Sequence, residues 1–155
     1  MTNKELVLDT LRRFGKVMAQ TIQTESAEMS GTELNTVKDY TPDFKTACEK
    51  KNMLNRPIGF VCKSSEGRVV KLLQPYDSTI YTDEPELLPA QWGFVWSTDP
   101  EHALPFIALS TSPYNKGECC TFEGHIWRSG QDGNVWSPNT VGVNWEDLGL
   151  IEEVQ

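Results

Sequence analysis

The sequence predicts a mainly β protein with an N-terminal α-helix and two small three-stranded β units. Three observations predict it: an apolar seam at helical spacing near the N-terminus, two similar hairpin patterns, and a tryptophan that follows each hairpin. The first hairpin turn contains Glu66 and Gly67, and the second contains Glu123 and Gly124, 57 residues later. We therefore expect one β unit to occur twice.

The repeat extends on both sides of these turns. Gly59 is matched by Gly117 at an offset of 58, and Trp92 is matched by Trp145 at an offset of 53. The offset changes where loops are expected, as it does between related units that vary at their turns. We expect Trp92, Trp127 and Trp145 to form the core of the two units, because three short strands need large rings to bury enough surface.

The N-terminal segment, residues 1–31, predicts an amphipathic helix. Thr2 and Glu5 have the spacing of a capping box, and an apolar seam at helical steps follows, formed by Val7, Leu11, Phe14 and Met18. Two interpretations stand at this point. The seam covers the chain's own β core, or it anchors the protein to partners or to further copies of itself. We expect the helix to end near Ser30 and Gly31.

The rest of the chain divides by composition and turn signals. We expect an extended connector over residues 32–56, a first β module over 57–97, and a linker with a candidate edge strand over 98–112. A second β module follows over 113–150, and residues 151–155 form a tail. Gly67 and Gly124 are the glycines expected at the hairpin turns.

Composition excludes several classes of function. The chain has 155 residues, a net charge of −8 and a pI near 4.7, which disfavours a nucleic-acid partner because phosphate binding needs clustered Lys and Arg. It lacks an apolar run long enough to cross a bilayer and a secretory leader pattern, so we expect a soluble chain.

The four cysteines, Cys48, Cys62, Cys119 and Cys120, lack metal-ligand spacing. We interpret them as reduced and partly buried, with a disulfide from Cys62 to Cys119 or Cys120 as the alternative.

No catalytic pattern stands out in the sequence. The candidate carboxylates Asp83, Glu84, Glu86, Glu146 and Asp147 are interpreted as solvent-facing, and His102 and His125 stand alone. The single His of the EGHIW segment does not make a zinc motif. We therefore expect no enzyme activity, no metal and no cofactor.

The second unit resembles a known family at specific positions. Tyr114, Gly117, Gly124, Trp127, Pro138, Trp145 and Leu148 follow the order and spacing of the small chitin-binding type of carbohydrate-binding module, families five and twelve. A fainter likeness covers residues 56–95, where Arg56 replaces the opening aromatic. The resemblance implies a compact β fold, with Trp136, Tyr114 and Trp127 as candidate contacts for a sugar. Sugar-binding members carry adjacent aromatics where this chain has Arg128, Ser129, Gly130 and Gln131.

The arrangement of a short helix, a polar connector and tandem modules resembles tail and fibre proteins of bacteriophages and prophages. This resemblance implies a non-enzymatic virion structural protein of the tail, baseplate or fibre, assembled in the host cytoplasm. Its expected partners are other virion proteins through the helix, further copies of the chain, and a host surface glycan. The alternative is a glycan-binding accessory protein of a cell, and a third class is a small lysis-associated hydrolase.

Overall fold

The computed structural model describes residues 2–155, and its first element is helix α1, Asn3–Glu25. The predicted capping box is present. The Thr2 hydroxyl accepts a hydrogen bond from the Glu5 amide at 3.1 Å, and the Glu5 carboxylate accepts one from the Thr2 amide at 2.9 Å. These bonds satisfy backbone donors that are otherwise free at the start of a helix.

Helix α1 ends before the predicted position. A 3₁₀ turn follows at Ser26–Glu28, and Ser30 starts a second helix, α2 (Gly31–Thr36), through its own capping box. The prediction that Gly31 ends α1 is therefore wrong, since Gly31 is the first residue of α2. Glycine is needed there for close packing, because a Cβ at Gly31 would overlap the backbone oxygen of Trp96.

The prediction of an extended connector over residues 32–56 is also wrong. This segment contains most of α2, a further helix α3 (Phe44–Lys50), and 3₁₀ turns at Lys38–Tyr40 and Met53–Asn55. Its apolar side chains are buried, namely Leu34, Phe44, Ala47 and Met53. Helices of six and seven residues are too short to show a helical period, and tertiary packing stabilises them instead.

The first sheet contains three antiparallel strands in the order β1 (Val61–Lys63), β2 (Val69–Leu72) and β3 (Trp92–Phe94). The predicted hairpin and the closing strand at Trp92 are confirmed. Gly67 has a φ of 84° at the hairpin turn, a left-handed conformation that glycine adopts without strain.

The second sheet contains four strands in the order β4 (Leu104–Pro105), β5 (Cys119–Phe122), β6 (His125–Ser129) and β7 (Trp145–Leu150). Strand β4 pairs parallel with β5, and the other pairs are antiparallel. The linker contributes an edge strand of only two residues, and residues 106–112, where most of the candidate strand was expected, form no strand. The expected tail forms a short helix, α4 (Ile151–Val154).

The two sheets repeat the same plan down to the register. Leu72 on β2 lies opposite Trp92 on β3, and Ser129 on β6 lies opposite Trp145 on β7. Before each hairpin, the amide of a glycine with positive φ donates to the carbonyl of a residue at the equivalent position of the second strand. Gly59 donates to Leu72 at 2.7 Å, and Gly117 donates to Ser129 at 2.8 Å. The predicted N-terminal helix and two small β units are confirmed, and the repeat is visible in their backbone.

One hydrophobic cluster spans both sheets. It includes Trp92 and Phe94 from the first sheet and Cys120 from the second, and Trp127 and Trp145 are partly buried against it. Tyr114 and Trp96 stack where the two units meet, with ring centroids 4.4 Å apart. The surroundings of the two closing tryptophans differ: Trp92 is fully buried and donates from Nε1 to the Tyr76 hydroxyl at 3.0 Å, whereas Trp145 is only partly buried.

Arg68 joins the two units from the hairpin of the first sheet. It is buried, pairs with Glu66, and approaches the Glu86 carboxylate at 3.3 Å. Its Nη2 donates to the carbonyl of Pro105 on β4 at 2.8 Å. The guanidinium therefore holds a strand of the second sheet against the turn of the first.

The outer strand of the first sheet, β1, is covered by two other segments. The side-chain amide of Gln23 donates to the Val61 carbonyl at 2.7 Å and accepts from the Val61 amide at 2.9 Å. The Lys63 amide donates to the Pro42 carbonyl at 3.0 Å. The last turns of α1 are thereby tied to the body of the protein.

Candidate functional site

The most prominent surface feature is the apolar face of α1. Among the predicted seam residues, Val7, Leu11 and Phe14 are exposed, and Met18 is partly buried. Of all the α1 side chains, only Ile22 is buried, in a cluster with Leu34 and the first sheet. The interpretation that the seam covers the chain's own core thus holds only for the last turns of α1, and the earlier turns present their apolar side chains to solvent.

This face is wider than an ordinary amphipathic stripe. Its exposed apolar side chains, each between 41% and 60% accessible, are Leu6, Val7, Leu8, Leu11, Phe14 and Val17. At about 100° per residue they span an arc of roughly 200°, against the ~100° that packing on one neighbour requires. Their combined apolar area is on the order of 500 Å², comparable to the largest patch on a typical monomer. We call these six residues the α1 face.

The second candidate surface is the loop between β6 and β7. Trp136 lies in this loop and is 48% exposed, so its ring has one side free. Its carbonyl accepts a hydrogen bond from Trp145 Nε1 at 2.9 Å, which fixes the loop backbone over the half-buried Trp145 ring. Trp136 is therefore an accessible aromatic side chain on an anchored loop backbone, and an exposed ring is the kind of surface on which a sugar ring stacks.

The other two candidate sugar contacts are placed differently. Trp127 is partly buried and donates from Nε1 to the Phe122 carbonyl at 3.2 Å. Tyr114 is fully buried between Trp96, Phe106 and Trp145, and this burial raises the pKa of its hydroxyl. A ligand on the surface cannot reach the Tyr114 ring, which belongs to the core that joins the two units.

His125 does not stand alone, contrary to the interpretation from sequence. Its Nδ1 lies 2.9 Å from an Asp147 carboxylate oxygen, and its ring centroid is 6.2 Å from that of Trp127. The hydrogen bond from His125 lowers the pKa of Asp147. The β6–β7 pairing brings the two residues together across the sheet, a contact that their separation of 22 residues conceals in the sequence.

Of the remaining acidic candidates, Asp83 and Glu146 are exposed, as expected, whereas Glu84 and Glu86 make structural contacts. Glu84 accepts from the Ser65 amide at 2.8 Å, and Glu86 faces Arg68. Sequence reasoning missed Glu118, whose pKa is raised to about 7 chiefly by burial. Its carboxylate accepts from the Asn115 amide at 2.9 Å. An unpaired acidic residue in a strand-entry turn gives no pattern from which burial could be predicted.

The thiols are all free, and three of them, Cys62, Cys119 and Cys120, are buried. Burial raises the pKa of each, which disfavours the thiolate needed for nucleophilic attack. Within residues 2–155, no group of three His, Cys, Asp or Glu side chains is placed to hold a metal ion. No helix in that range is both long and apolar enough to span a bilayer.

No family model, curated protein or solved structure matches this chain. The resemblance to chitin-binding modules therefore depends on the motif residues of the second unit alone. Function has to be argued from the α1 face and the aromatic loop.

Proposed function

We propose that this protein is a non-enzymatic structural and adhesion component of a bacteriophage or prophage particle. In this proposal α1 docks into the tail, baseplate or fibre, and the β body projects from the particle. The single observation that carries the proposal is the exposed α1 face. A patch of this size on a helix that extends beyond its own core supports a docking role, because most helices in proteins are stabilised by packing of their apolar face and the α1 face is largely exposed.

The charges beside the α1 face favour a particular kind of partner. Lys4, Arg12, Arg13 and Lys16 outnumber Glu5 and Asp9 in this part of α1, although the whole chain is acidic. A partner groove with an apolar floor and an acidic rim would complement the helix. Further copies of the chain could share such a groove, and we expect the protein to be oligomeric in the particle.

A matched pair of variants tests the docking role. The double variant Leu11→Gln, Phe14→Gln removes two large side chains from the α1 face. The double variant Arg12→Gln, Lys16→Gln introduces two glutamines on the charged side of the helix and serves as the comparison. We expect the first pair to reduce incorporation into purified particles by more than tenfold, as measured by quantitative mass spectrometry. The second pair should reduce it only about two- to threefold, because exposed rim charges contribute less to docking than buried apolar side chains. Equal incorporation of both pairs would overturn the proposal.

The second candidate function is binding of a chitin-like polysaccharide, and the exposed Trp136 ring favours it. Trp136→Ala should lose retention on insoluble chitin or host cell-wall glycan. Val141→Ala lies in the same loop and is 98% exposed, so it serves as the control. If Trp136→Ala is retained as well as wild type, Trp136 is not a sugar contact.

A further inference from the structure

A cleft of about 870 Å³ lies beside the C-terminal half of α1. One wall is formed by Gly15, Ala19, Gln20 and Gln23 of α1, and the opposite wall by Tyr40, Lys50, Arg56 and Phe60. Its volume is within the range of ordinary small-molecule sites. The α1 residues that line the cleft are not those of the α1 face, although Phe14 of that face packs edge-on against Tyr40, with ring centroids 6.1 Å apart.

The guanidinium of Arg56 lies in this cleft without an anionic partner. It stacks over the Phe60 ring at 4.3 Å, and its Nη2 donates to the Ala47 carbonyl at 2.9 Å. Its Nε is buried and donates to no acceptor within residues 2–155. The ion pairs of the described chain do not include Arg56. Stacking fixes the plane of the guanidinium and leaves its positive charge uncompensated.

A second cleft of about 600 Å³ shares Arg56, Phe60 and Gln23 with the first and adds Lys71. Lys71 is half-buried and donates from Nζ to the Ser26 carbonyl at 2.9 Å. Arg56, Lys50 and Lys71 therefore lie around the base of α1, and Asp39 is the only carboxylate among the residues that line the two clefts. In a chain with a net charge of −8, this is a local concentration of positive charge.

The repeat provides an independent indication. Arg56 occupies the position at which the second unit has Tyr114, two residues before Ile58 and three before Gly59. Tyr114 is a core residue where the units meet, whereas Arg56 faces a cleft. The two copies of the unit thus differ here in chemistry as well as in burial.

We propose that the cleft at the base of α1 binds a small anionic ligand whose carboxylate or phosphate pairs with Arg56. A planar guanidinium with free donors is suited to bidentate contact with either group. For the rest of the ligand, Gln20 supplies a side-chain amide donor. Tyr40, which is 39% exposed, supplies a hydroxyl group and the edge of its ring. An acidic sugar such as a uronate has the required size and chemistry. The proposal is independent of the docking role of α1.

Calorimetric titration of the full chain tests this site. The probes are glucuronate, inorganic phosphate, and glucose as the neutral analogue of glucuronate. We expect glucuronate, phosphate or both to bind, with affinity that falls as salt is raised, and glucose not to bind. Binding of phosphate alone would assign the site to phosphate groups, and binding of glucuronate alone would assign it to carboxylated sugars. The highest ligand concentration is about 10 mM, which would detect even weak binding with a millimolar dissociation constant. If neither anion binds at this concentration, the proposal is overturned.

Variants locate the binding. Arg56→Gln should weaken binding more than tenfold, since a charge-assisted hydrogen bond is lost. Lys50→Gln, on the exposed rim, should weaken it about two- to fivefold without a risk to folding. Lys116→Gln removes an exposed lysine of the second unit and should change nothing. If Arg56→Gln unfolds, Lys50→Gln and Lys116→Gln decide, because equal affinity in these two variants would contradict the assignment.

Discussion

Arg68 is a buried charged residue whose loss should lower the stability of the fold. Replacement by Met retains the stem of the side chain and removes the charge that faces Glu66, Glu86 and the Pro105 carbonyl. Because Glu86 is only 12% exposed, its carboxylate would remain buried without a cation. We expect Arg68→Met to lower the free energy of unfolding by about 3 kcal/mol, measured by urea denaturation.

A double variant separates the two causes of that loss. Arg68→Met with Glu86→Gln removes the uncompensated charge, so part of the stability should return. If the double variant is less stable than Arg68→Met, Glu86 contributes through contacts other than Arg68, and the assigned role is wrong.

Glu118 gives the fold a pH dependence with a defined sign. Its pKa in the folded protein is raised to about 7 from 4.5, first by burial and also by the nearby Asp132. The folded state therefore holds a proton that the unfolded state has released between these values. This contribution to stability is fully present below pH 4.5 and is lost as the pH rises towards 7.

The measurement compares wild type with Glu118→Gln. Unfolding free energies from pH 4.5 to 7.5 should fall more steeply for wild type than for the variant, since glutamine does not titrate. Parallel curves for the two proteins would show that Glu118 titrates normally in the folded state.

At the scale of elements, two glycines in helices should respond oppositely to the same change. Gly31→Ala places a methyl group against the backbone oxygen of Trp96, and we expect a loss of about 2 kcal/mol. Gly15 lies inside α1 with no atom within 4 Å of an added Cβ. Gly15→Ala should therefore stabilise α1 by about 0.5–1 kcal/mol through higher helix propensity. Thermal unfolding of both variants checks the pair, and a loss in Gly15→Ala would contradict the described packing.

The sequence predicted elements with local signals and missed those that depend on distant contacts. The capping box at Thr2 and the turns at Gly67 and Gly124 are encoded within a few residues. Helices α2 and α3 lack a readable period, and they form because Leu34 and Phe44 enter separate clusters of the body. The His125–Asp147 contact depends on strand register, which a single sequence does not reveal.

At the scale of the whole molecule, the shared core predicts one unfolding transition. Tyr114, Trp96 and Phe106 form a stack between the sheets, so neither unit closes without the other. We expect equal calorimetric and van't Hoff enthalpies for the full chain. A fragment of residues 113–150 alone should show no cooperative transition by circular dichroism. Two resolved transitions, or a folded fragment, would show that the units are independent.

The repeat therefore predicted the strands within each unit better than it predicted how the two units pack against each other. The matched positions define each meander, but the contacts between the units come from residues that the repeat does not match, such as Trp96 and Leu109. The candidate functional surfaces show the same difference between local patterns and distant contacts. The apolar spacing of α1 identified the α1 face, whereas the cleft around Arg56 required α1, α3 and the first sheet to meet.

The covering of β1 bears on the proposal that α1 docks many copies of the chain side by side. An open strand edge recruits strands from neighbouring chains, and crowding increases that hazard. Here the Gln23 side chain bonds both backbone groups of Val61, and the Pro42 carbonyl accepts from the Lys63 amide. In the proposed particle, this edge of each copy would therefore not pair with strands of its neighbours.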